Sequence, residues 1–109
     1  MTTIKSFTSL EQSRKLAKIL PLESADMLYW AGEYITHPYM EGQHKDEQIP
    51  IWSLAALLGV LPNPSLHQTK DKRWYCNAEP NRLYFSEHYD NPLDACVAMI
   101  EKLNELNML

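Results

Sequence analysis

The sequence predicts a small α+β protein whose elements follow the order α-ββ-α-ββ-α, with an antiparallel sheet and helices packed on one face. Three segments show capped, helical apolar periodicity, and two others hold runs rich in aromatic and β-branched residues. Prolines stand at the ends of several of these segments. At 109 residues the chain has the usual size of one domain, so we expect a single α+β domain over residues 1–109.

The first helix is predicted from its start and stop signals. Thr8 with Glu11 fits a capping box, and Ser9 with Gln12 fits the same box one residue later. Apolar residues then recur at helical spacing: Leu10, Leu16 or Ala17, and Leu20. Pro21 disfavours the helical conformation of the residue before it, so we expect the helix to end there.

The next segment predicts a β-hairpin. The runs "MLYW" and "EYITH" favour strands, and they flank Ala31-Gly32, where glycine can supply the positive φ of a tight turn. The alternative is a helix that begins at Ser24, and the aromatic and β-branched residues that follow disfavour it. A polar, proline-bracketed loop, "PYMEGQHKDEQIP", is predicted over residues 38–50.

The stretch "IPIWSLAALLGVLPNP", residues 49–64, is the most apolar passage, and it predicts a central core helix. It is too short to cross a bilayer, which needs about 20 apolar residues. Ser53 can cap the helix, and Trp52 can pack onto Leu57 as a hydrophobic staple. Because apolar residues surround the helix, we expect burial on all sides, with a dimer contact as the alternative.

The following residues predict a loop, a second hairpin and a last helix. The loop is "LPNPSLHQTKDK", residues 61–72, and the hairpin is "RWYCNAEPNRLYFSE", residues 73–87, with its turn at residues 79–81. Alternation directs one set of hairpin side chains toward the core: Trp74, Cys76, Leu83 and Phe85. Asn91 caps the last helix, Pro92 takes its first position, and the apolar stripe is Leu93, Val97, Ile100 and Leu103.

Charge and cysteine usage restrict the class of protein. A formal net charge of −4 argues against a general binder of nucleic-acid phosphates and against an anionic membrane surface. The first residues show no apolar run or cleavage site typical of a secretory signal. Cys76 and Cys96 are twenty positions apart, which fits neither a C-x-x-C motif nor a disulfide framework. We therefore expect a cytoplasmic protein with two buried thiols and no membrane association.

Three blocks of the chain carry a family resemblance: "SLEQSRKLAKILPLESADM", "IPIWSLAALLGVLP" and "DACVAMIEKL". In this order, over residues 8–105, they resemble a family of small uncharacterised proteins of Bacteroidetes and of their prophages and other mobile elements. The resemblance implies an α+β fold and a mobile-element setting. It implies no activity, ligand or catalytic residue.

Two groups of residues are candidates for ligand chemistry. The loop over residues 37–47 holds histidines and acids suited to zinc or manganese: His37, Glu41, His44, Asp46 and Glu47. Their spacing matches no recurrent ligand motif, so a solvated loop is the simpler reading, and we predict no metal and no cofactor. Cys96 with His88, or Cys76 with any histidine, could form a thiolate pair, but both cysteines lie beside core-facing residues, which favours inert thiols.

Two further surfaces could bind macromolecules. The run "KDKRW", residues 70–74, with Arg82 places cations beside aromatic rings that could stack on single-stranded nucleic acid, although four cations in an acidic chain favour a solvated strand edge. The chain also has more aromatic residues than a small core can hold. We predict that some of them form an interaction surface on the sheet: Tyr29, Trp30, Tyr34 and Tyr84.

The sequence thus favours a non-enzymatic accessory protein of a phage or mobile element that contacts another protein, or a second copy of itself, through this surface. An ordinary cross-strand ladder that stabilises the sheet is the alternative reading of the same aromatic residues. The alternative function is that of a small enzyme, or of a ligand-binding or metal-binding protein, with a pocket at the loop over residues 37–47.

Overall fold

The computed structural model describes residues 6–30, 32–35, 48–78 and 88–107. Its elements, in chain order, are α1 (Leu10–Leu16), a 3₁₀ helix (Leu22–Ser24), β1 (Met27–Trp30), β2 (Glu33–Ile35), β3 (Ile49–Ile51), α2 (Leu54–Val60), β4 (Ser65–Gln68), β5 (Trp74–Asn77) and α3 (Pro92–Glu105). The described α-helices and antiparallel strands confirm the predicted α+β class.

α1 begins at the second of the two possible capping boxes. Ser9 Oγ accepts a hydrogen bond from the Gln12 backbone N–H at 3.1 Å, and the Gln12 side chain accepts one from the Ser9 N–H at 3.0 Å. The helix ends at Leu16, earlier than predicted. The N–H groups of Lys18 and Ile19 bond to carbonyls three residues back, so the chain tightens into turns before it reaches Pro21.

The first hairpin is present where the sequence predicts it. Tyr29 lies opposite Tyr34, and Trp30 lies opposite Glu33. Gly32 has φ +83°, a left-handed conformation that glycine adopts without steric penalty. Ser24 ends the 3₁₀ helix and does not begin an α-helix, so the alternative reading of this segment is wrong.

β3 extends this hairpin to a three-stranded sheet of order β2-β1-β3. The prediction of a loop over residues 38–50 is wrong for Ile49 and Pro50, while residues 38–47 lie outside the described residues. Pro50 lies opposite Leu28, and β3 is an edge strand of the described sheet. Proline lacks an N–H and is tolerated in a strand at such an edge, so the proline signal did not mark the end of the strand.

A chain of buried hydroxyl groups joins the segment before α1 to the end of β3. Thr8 N–H donates to the Trp52 carbonyl at 2.9 Å, and Trp52 N–H donates to Thr8 Oγ1 at 3.1 Å. Thr8 Oγ1 lies 2.7 Å from Ser13 Oγ, which itself donates to the Ser9 carbonyl at 2.7 Å. Thr8 is therefore the donor to Ser13. Both side chains are fully buried, and each polar atom has a partner.

The Trp52 side chain is the largest fully buried group of the described residues. Its indole Nε1–H donates to Ser24 Oγ at 2.9 Å, and Ser24 Oγ donates to the Pro21 carbonyl at 2.5 Å. One tryptophan thus contacts the segment before α1 through its backbone and the 3₁₀ helix through its ring. A buried indole requires such a partner for its N–H.

α2 starts at the predicted cap but is not buried on all sides. Ser53 Oγ accepts from the Ala56 N–H at 3.2 Å, and Leu57 is fully buried in the same cluster as Trp52, as the predicted staple requires. Ala55 and Gly59 are exposed, so the prediction of complete burial is wrong. A seven-residue helix buries one stripe, and small residues expose little apolar area on the opposite side.

The second hairpin begins earlier than predicted. β5 pairs with β4, placing Leu66 opposite Cys76 and His67 opposite Tyr75. The loop predicted over residues 61–72 therefore contains a strand, whose polar residues and flanking prolines concealed it. Cys76 is fully buried, as alternation predicts. The turn predicted at residues 79–81 and the partner strand with Leu83 and Phe85 lie outside the described residues.

α3 forms the centre of the core. Asn91 Oδ1 accepts from the Asp94 N–H at 2.8 Å, and Pro92 occupies the first turn, as predicted. The buried face comprises the four predicted residues and three more: Leu93, Ala95, Cys96, Val97, Met99, Ile100 and Leu103. α3 packs against both β5 and α2.

The described strands form two antiparallel sheets in place of one. α1 packs against β3 of the three-stranded sheet, whereas α3 packs against β5 of the two-stranded sheet. Alternating side chains predict strands but do not specify which hairpins pair, because that pairing depends on contacts distant in sequence. No helix in the described ranges is long and apolar enough to cross a membrane.

We expect the Thr8→Val substitution to lower the free energy of unfolding by about 1–3 kcal/mol, because the buried Trp52 N–H and Ser13 Oγ each lose a partner. Urea unfolding of the purified protein measures this change. Thr8→Ser keeps the hydroxyl and removes one methyl group, so it should cost about 1 kcal/mol or less. Equal stability of the valine variant and the wild type would contradict a stabilising role for the hydroxyl chain.

Alanine substitutions at two glycines should act in opposite directions. Gly32→Ala should destabilise the protein by about 1–2 kcal/mol, because alanine is strained at φ +83°. Gly59→Ala should stabilise it by up to about 1 kcal/mol, because alanine favours the interior of α2. Neither added Cβ meets an atom within 4 Å, so thermal unfolding of the two variants isolates the backbone effect. Effects of the same sign would show that another factor dominates.

Candidate functional site

Three aromatic rings cluster on one face of the three-stranded sheet, and we call Phe7, Tyr29 and Tyr34 the aromatic patch. The centroids of the Tyr34 and Tyr29 rings are 4.9 Å apart, and the two rings meet edge-on at 64°. The centroids of the Tyr34 and Phe7 rings are 4.6 Å apart, with 43° between the ring planes. Cross-strand pairing places the two tyrosines together, and a β-bridge to Ser53 positions Phe7. Tyr34 is 42% exposed, whereas the other two rings are half-buried. The patch therefore presents a tyrosine to solvent on a packed aromatic base.

The structure divides the set of residues predicted for the interaction surface. Trp30 follows Tyr29 in β1, so its side chain points to the opposite face of the sheet from the tyrosine pair. Tyr84 lies outside the described residues. Phe7 is the member that sequence reasoning missed, because it precedes α1 and lies in no alternating run. An aromatic residue two positions before the capping box is the signal that could have found it.

A second group of rings lies on the two-stranded sheet. The His67 and Tyr75 rings stack with their centroids 4.9 Å apart and 15° between their planes. The Tyr75 and His88 rings stack with their centroids 5.3 Å apart and 28° between their planes. Tyr75 lies on β5, between β4 and the segment that contains His88 and Tyr89. β5 pairs with β4 on one side, and Trp74 forms a β-bridge to Tyr89 on the other. An imidazole therefore covers each face of the Tyr75 ring.

The basic turn between β4 and β5 is tied to the segment that carries His88. The Arg73 guanidinium donates to the His88 carbonyl at 2.7 Å and lies 4.0 Å from the Asp90 carboxylate. Lys70 and Lys72 are exposed. Of the candidate nucleic-acid residues, Arg73 thus makes internal contacts, and the Tyr75 ring stacks with His67 and His88. Arg82 lies outside the described residues.

In the turn between β4 and β5, the Asp71 carboxyl group has a shifted pKa. A hydrogen bond from the Thr69 hydroxyl is the main cause that lowers the Asp71 pKa below its ordinary value of 3.8. Desolvation opposes this effect, and the charges of Arg73 and His88 lower the pKa further. The carboxylate is fully exposed and accepts this bond within a five-residue turn closed by Thr69 N–H donating to the Arg73 carbonyl at 2.8 Å. Asp71 thus has a structural role in shaping the turn.

The two cysteines are neighbours in the core. Cys76 on β5 and Cys96 on α3 are both fully buried, and their thiols are hydrogen-bonded to each other. This contact lowers the pKa of Cys76, in opposition to burial, whereas the contact and burial both raise the pKa of Cys96. The possible thiolate pair of Cys96 with His88 is not this arrangement. The Cys76 thiol contacts the Cys96 thiol and also donates to the Asn77 carbonyl at 3.6 Å.

The candidate metal residues cannot be placed. His37, Glu41, His44, Asp46 and Glu47 all lie outside the described residues, so the pocket predicted there stays a prediction. Within the described ranges, no group of three or more histidine, cysteine, aspartate or glutamate side chains is arranged to hold a metal ion.

Comparisons with known proteins give a partial similarity. No family model matches the chain, and no solved structure matches it. The chain is 29% identical over 102 residues to an L-lactate dehydrogenase of Geobacillus stearothermophilus and 30% identical over 102 residues to one of Bacillus caldotenax. Each similarity covers 88% of this chain and 30% of the enzyme, so the chain spans less than a third of the length of these relatives.

The Asp71 shift predicts a specific pH dependence. Because the carboxyl pKa is lower in the folded state, the ionised group stabilises the fold above its unfolded value of 3.8, and this contribution is lost as the pH falls through the lowered pKa. Asp71→Asn should therefore lower the melting temperature slightly at about pH 7 and have less effect at about pH 2.5. In a Thr69→Val background the same substitution should have little effect at either pH. An equal loss at both pH values would refute the carboxylate contribution.

Proposed function

We propose that the protein is a non-enzymatic accessory protein that acts through protein–protein contacts, with the aromatic patch at the centre of its binding surface. The exposed Tyr34, held by Phe7 and Tyr29, is the observation that carries this proposal. Tyrosine is enriched in the small number of residues that dominate binding energy at protein interfaces. Two ring contacts fix Tyr34 before binding, which reduces the entropy lost when a partner orders it.

The composition agrees with a protein partner. A net charge of −4 disfavours phosphate backbones, and the covered faces of Tyr75 remove that ring as a platform for nucleic-acid bases. The partner is a second protein with an apolar pocket for Tyr34, or a second copy of this chain. We place this activity in the cytoplasm and in the setting of a prophage or another mobile element, and the resemblance of the three sequence blocks supports that setting.

The similarity to L-lactate dehydrogenases is not the basis for a function. The chain covers 30% of each enzyme, which is too little to carry over the activity of the whole protein.

The experiment compares Tyr34→Ser with Tyr34→Phe. Affinity capture from the native host identifies a partner, and sedimentation of the purified protein tests self-association. Loss of a central interface ring should weaken the complex by about 30-fold or more, which corresponds to 2 kcal/mol or more. Tyr34→Phe keeps the ring and its packing, so it should retain most of the affinity.

Two controls are needed to interpret the binding of the Tyr34 variants. Both variants must keep the wild-type melting temperature within a few degrees, so that loss of binding is not loss of the fold. Trp30→Ser changes the opposite face of the same sheet and serves as the matched control. Equal binding by Tyr34→Ser and the wild type, or no complex of any kind with the wild type, would refute the proposed surface.

A further inference from the structure

Cys76 and Cys96 form a dithiol in the middle of the core. One cysteine belongs to β5 and the other to α3, two elements that pack directly on each other. Both are 0% exposed and belong to the same apolar cluster. Their thiols are in hydrogen-bond contact, although nineteen residues separate them in sequence. The fold therefore brings together two sulfurs that the sequence spacing does not pair.

We propose that Cys76 and Cys96 are an oxidation site, at which a peroxide such as hydrogen peroxide joins the two sulfurs in an internal disulfide between β5 and α3. Direct contact between two thiols on adjacent elements is the main geometric requirement for this bond, because a disulfide forms only where the backbone already holds the two cysteines close together. The site is separate from the aromatic patch and does not depend on the function proposed for it.

The reaction has two steps. The Cys76 thiolate attacks one peroxide oxygen, the O–O bond breaks, and hydroxide leaves with the Cys76 proton as water, so that Cys76 becomes a sulfenic acid. The Cys96 sulfur then attacks the Cys76 sulfur, the S–O bond breaks, and the oxygen leaves as a second water after taking the Cys96 proton. Two thiols and one peroxide give one disulfide and two waters, and the two sulfurs supply the two electrons that reduce the peroxide.

The environment of the two cysteines decides which sulfur reacts with the peroxide first. The contact with Cys96 lowers the pKa of Cys76 against the effect of burial, whereas the same contact and burial raise the pKa of Cys96. The thiolate is the reactive form toward peroxide, so Cys76 is the sulfur that attacks the peroxide and Cys96 is the resolving thiol. Because both sulfurs are fully buried, the oxidant reaches them when α3 opens locally from β5.

The disulfide would close a covalent ring that contains residues 76–96 and would fix α3 on β5. Closing a ring of this length restricts the unfolded chain, so the oxidised protein should melt on the order of 10 °C higher than the reduced protein. Oxidation at this site would therefore tighten the core and would not unfold it.

The test treats reduced, folded wild-type protein with hydrogen peroxide. After denaturation, a thiol-alkylating reagent counts the remaining thiols by intact mass, and peptide mapping locates any disulfide. We expect the loss of two hydrogens, no alkylation, a Cys76–Cys96 linked peptide, and the higher melting temperature, all reversed by dithiothreitol. Two alkylated cysteines after oxidation, or a link only between molecules, would overturn the proposal.

Single substitutions provide matched controls. Cys76→Ala and Cys96→Ala both keep a small apolar side chain at the site and remove the internal link. In both variants the oxidant should leave the melting temperature unchanged. Cys96→Ser keeps a hydroxyl donor at this position and should accumulate a sulfenic acid at Cys76 that a dimedone probe traps. Stronger trapping at Cys96 in Cys76→Ser than at Cys76 in Cys96→Ser would reverse the assigned order.

A measurement on the wild type alone guards against variants that fail to fold. The equilibrium between dithiol and disulfide is measured in glutathione buffers, once with native protein and once in urea. By linkage, a disulfide that fits the fold is favoured in the native protein, by about tenfold or more over the unfolded chain. An equilibrium constant for disulfide formation that is equal or lower in the native protein than in urea would show that the fold does not accommodate the bond.

Discussion

The position of Trp52 is the constraint on which much of the described structure depends. Its backbone pairs with Thr8, its ring N–H donates to Ser24, and its side chain is fully buried in the same core cluster as Leu57. The residue therefore connects the segment before α1, the 3₁₀ helix and the start of α2. These contacts are polar as well as apolar, so they fix orientation in addition to burying surface. Asp26 adds to them by accepting two hydrogen bonds from Ser53, directly after the tryptophan.

This arrangement explains how a small chain supports exposed aromatic groups. The pairing of Thr8 with Trp52 places Phe7 opposite Ser53, and Phe7 then packs beneath Tyr34. The packed core and the aromatic patch are thus joined through one short segment. A ring that has neighbours on two sides collapses onto the sheet less readily than an isolated one, which suits a surface that contacts a partner.

Local signals predicted the helices better than the strands. Ser9, Ser53 and Asn91 each cap a helix through bonds to residues three positions away, and such contacts can be read directly from sequence. β3 and β4 were missed because prolines and polar residues resemble loop signals, whereas their pairing with β1 and β5 depends on distant residues. The aromatic patch was predicted in part, since Tyr29 and Tyr34 share a hairpin. The contact between Cys76 and Cys96 was not predictable, because spacing carries no information about the packing of α3 on β5.

Pro50 affects how this protein can associate with other proteins. Pro50 is buried in β3 and has no N–H, so this edge offers an incoming strand neither an accessible backbone nor a complete row of donors. The sheet therefore resists growth along this side by the strand-by-strand pairing that leads to fibres. Association of the described sheet is directed instead to exposed side chains such as Tyr34, where chemical identity can distinguish one partner from another, and away from the backbone, which is the same in every protein.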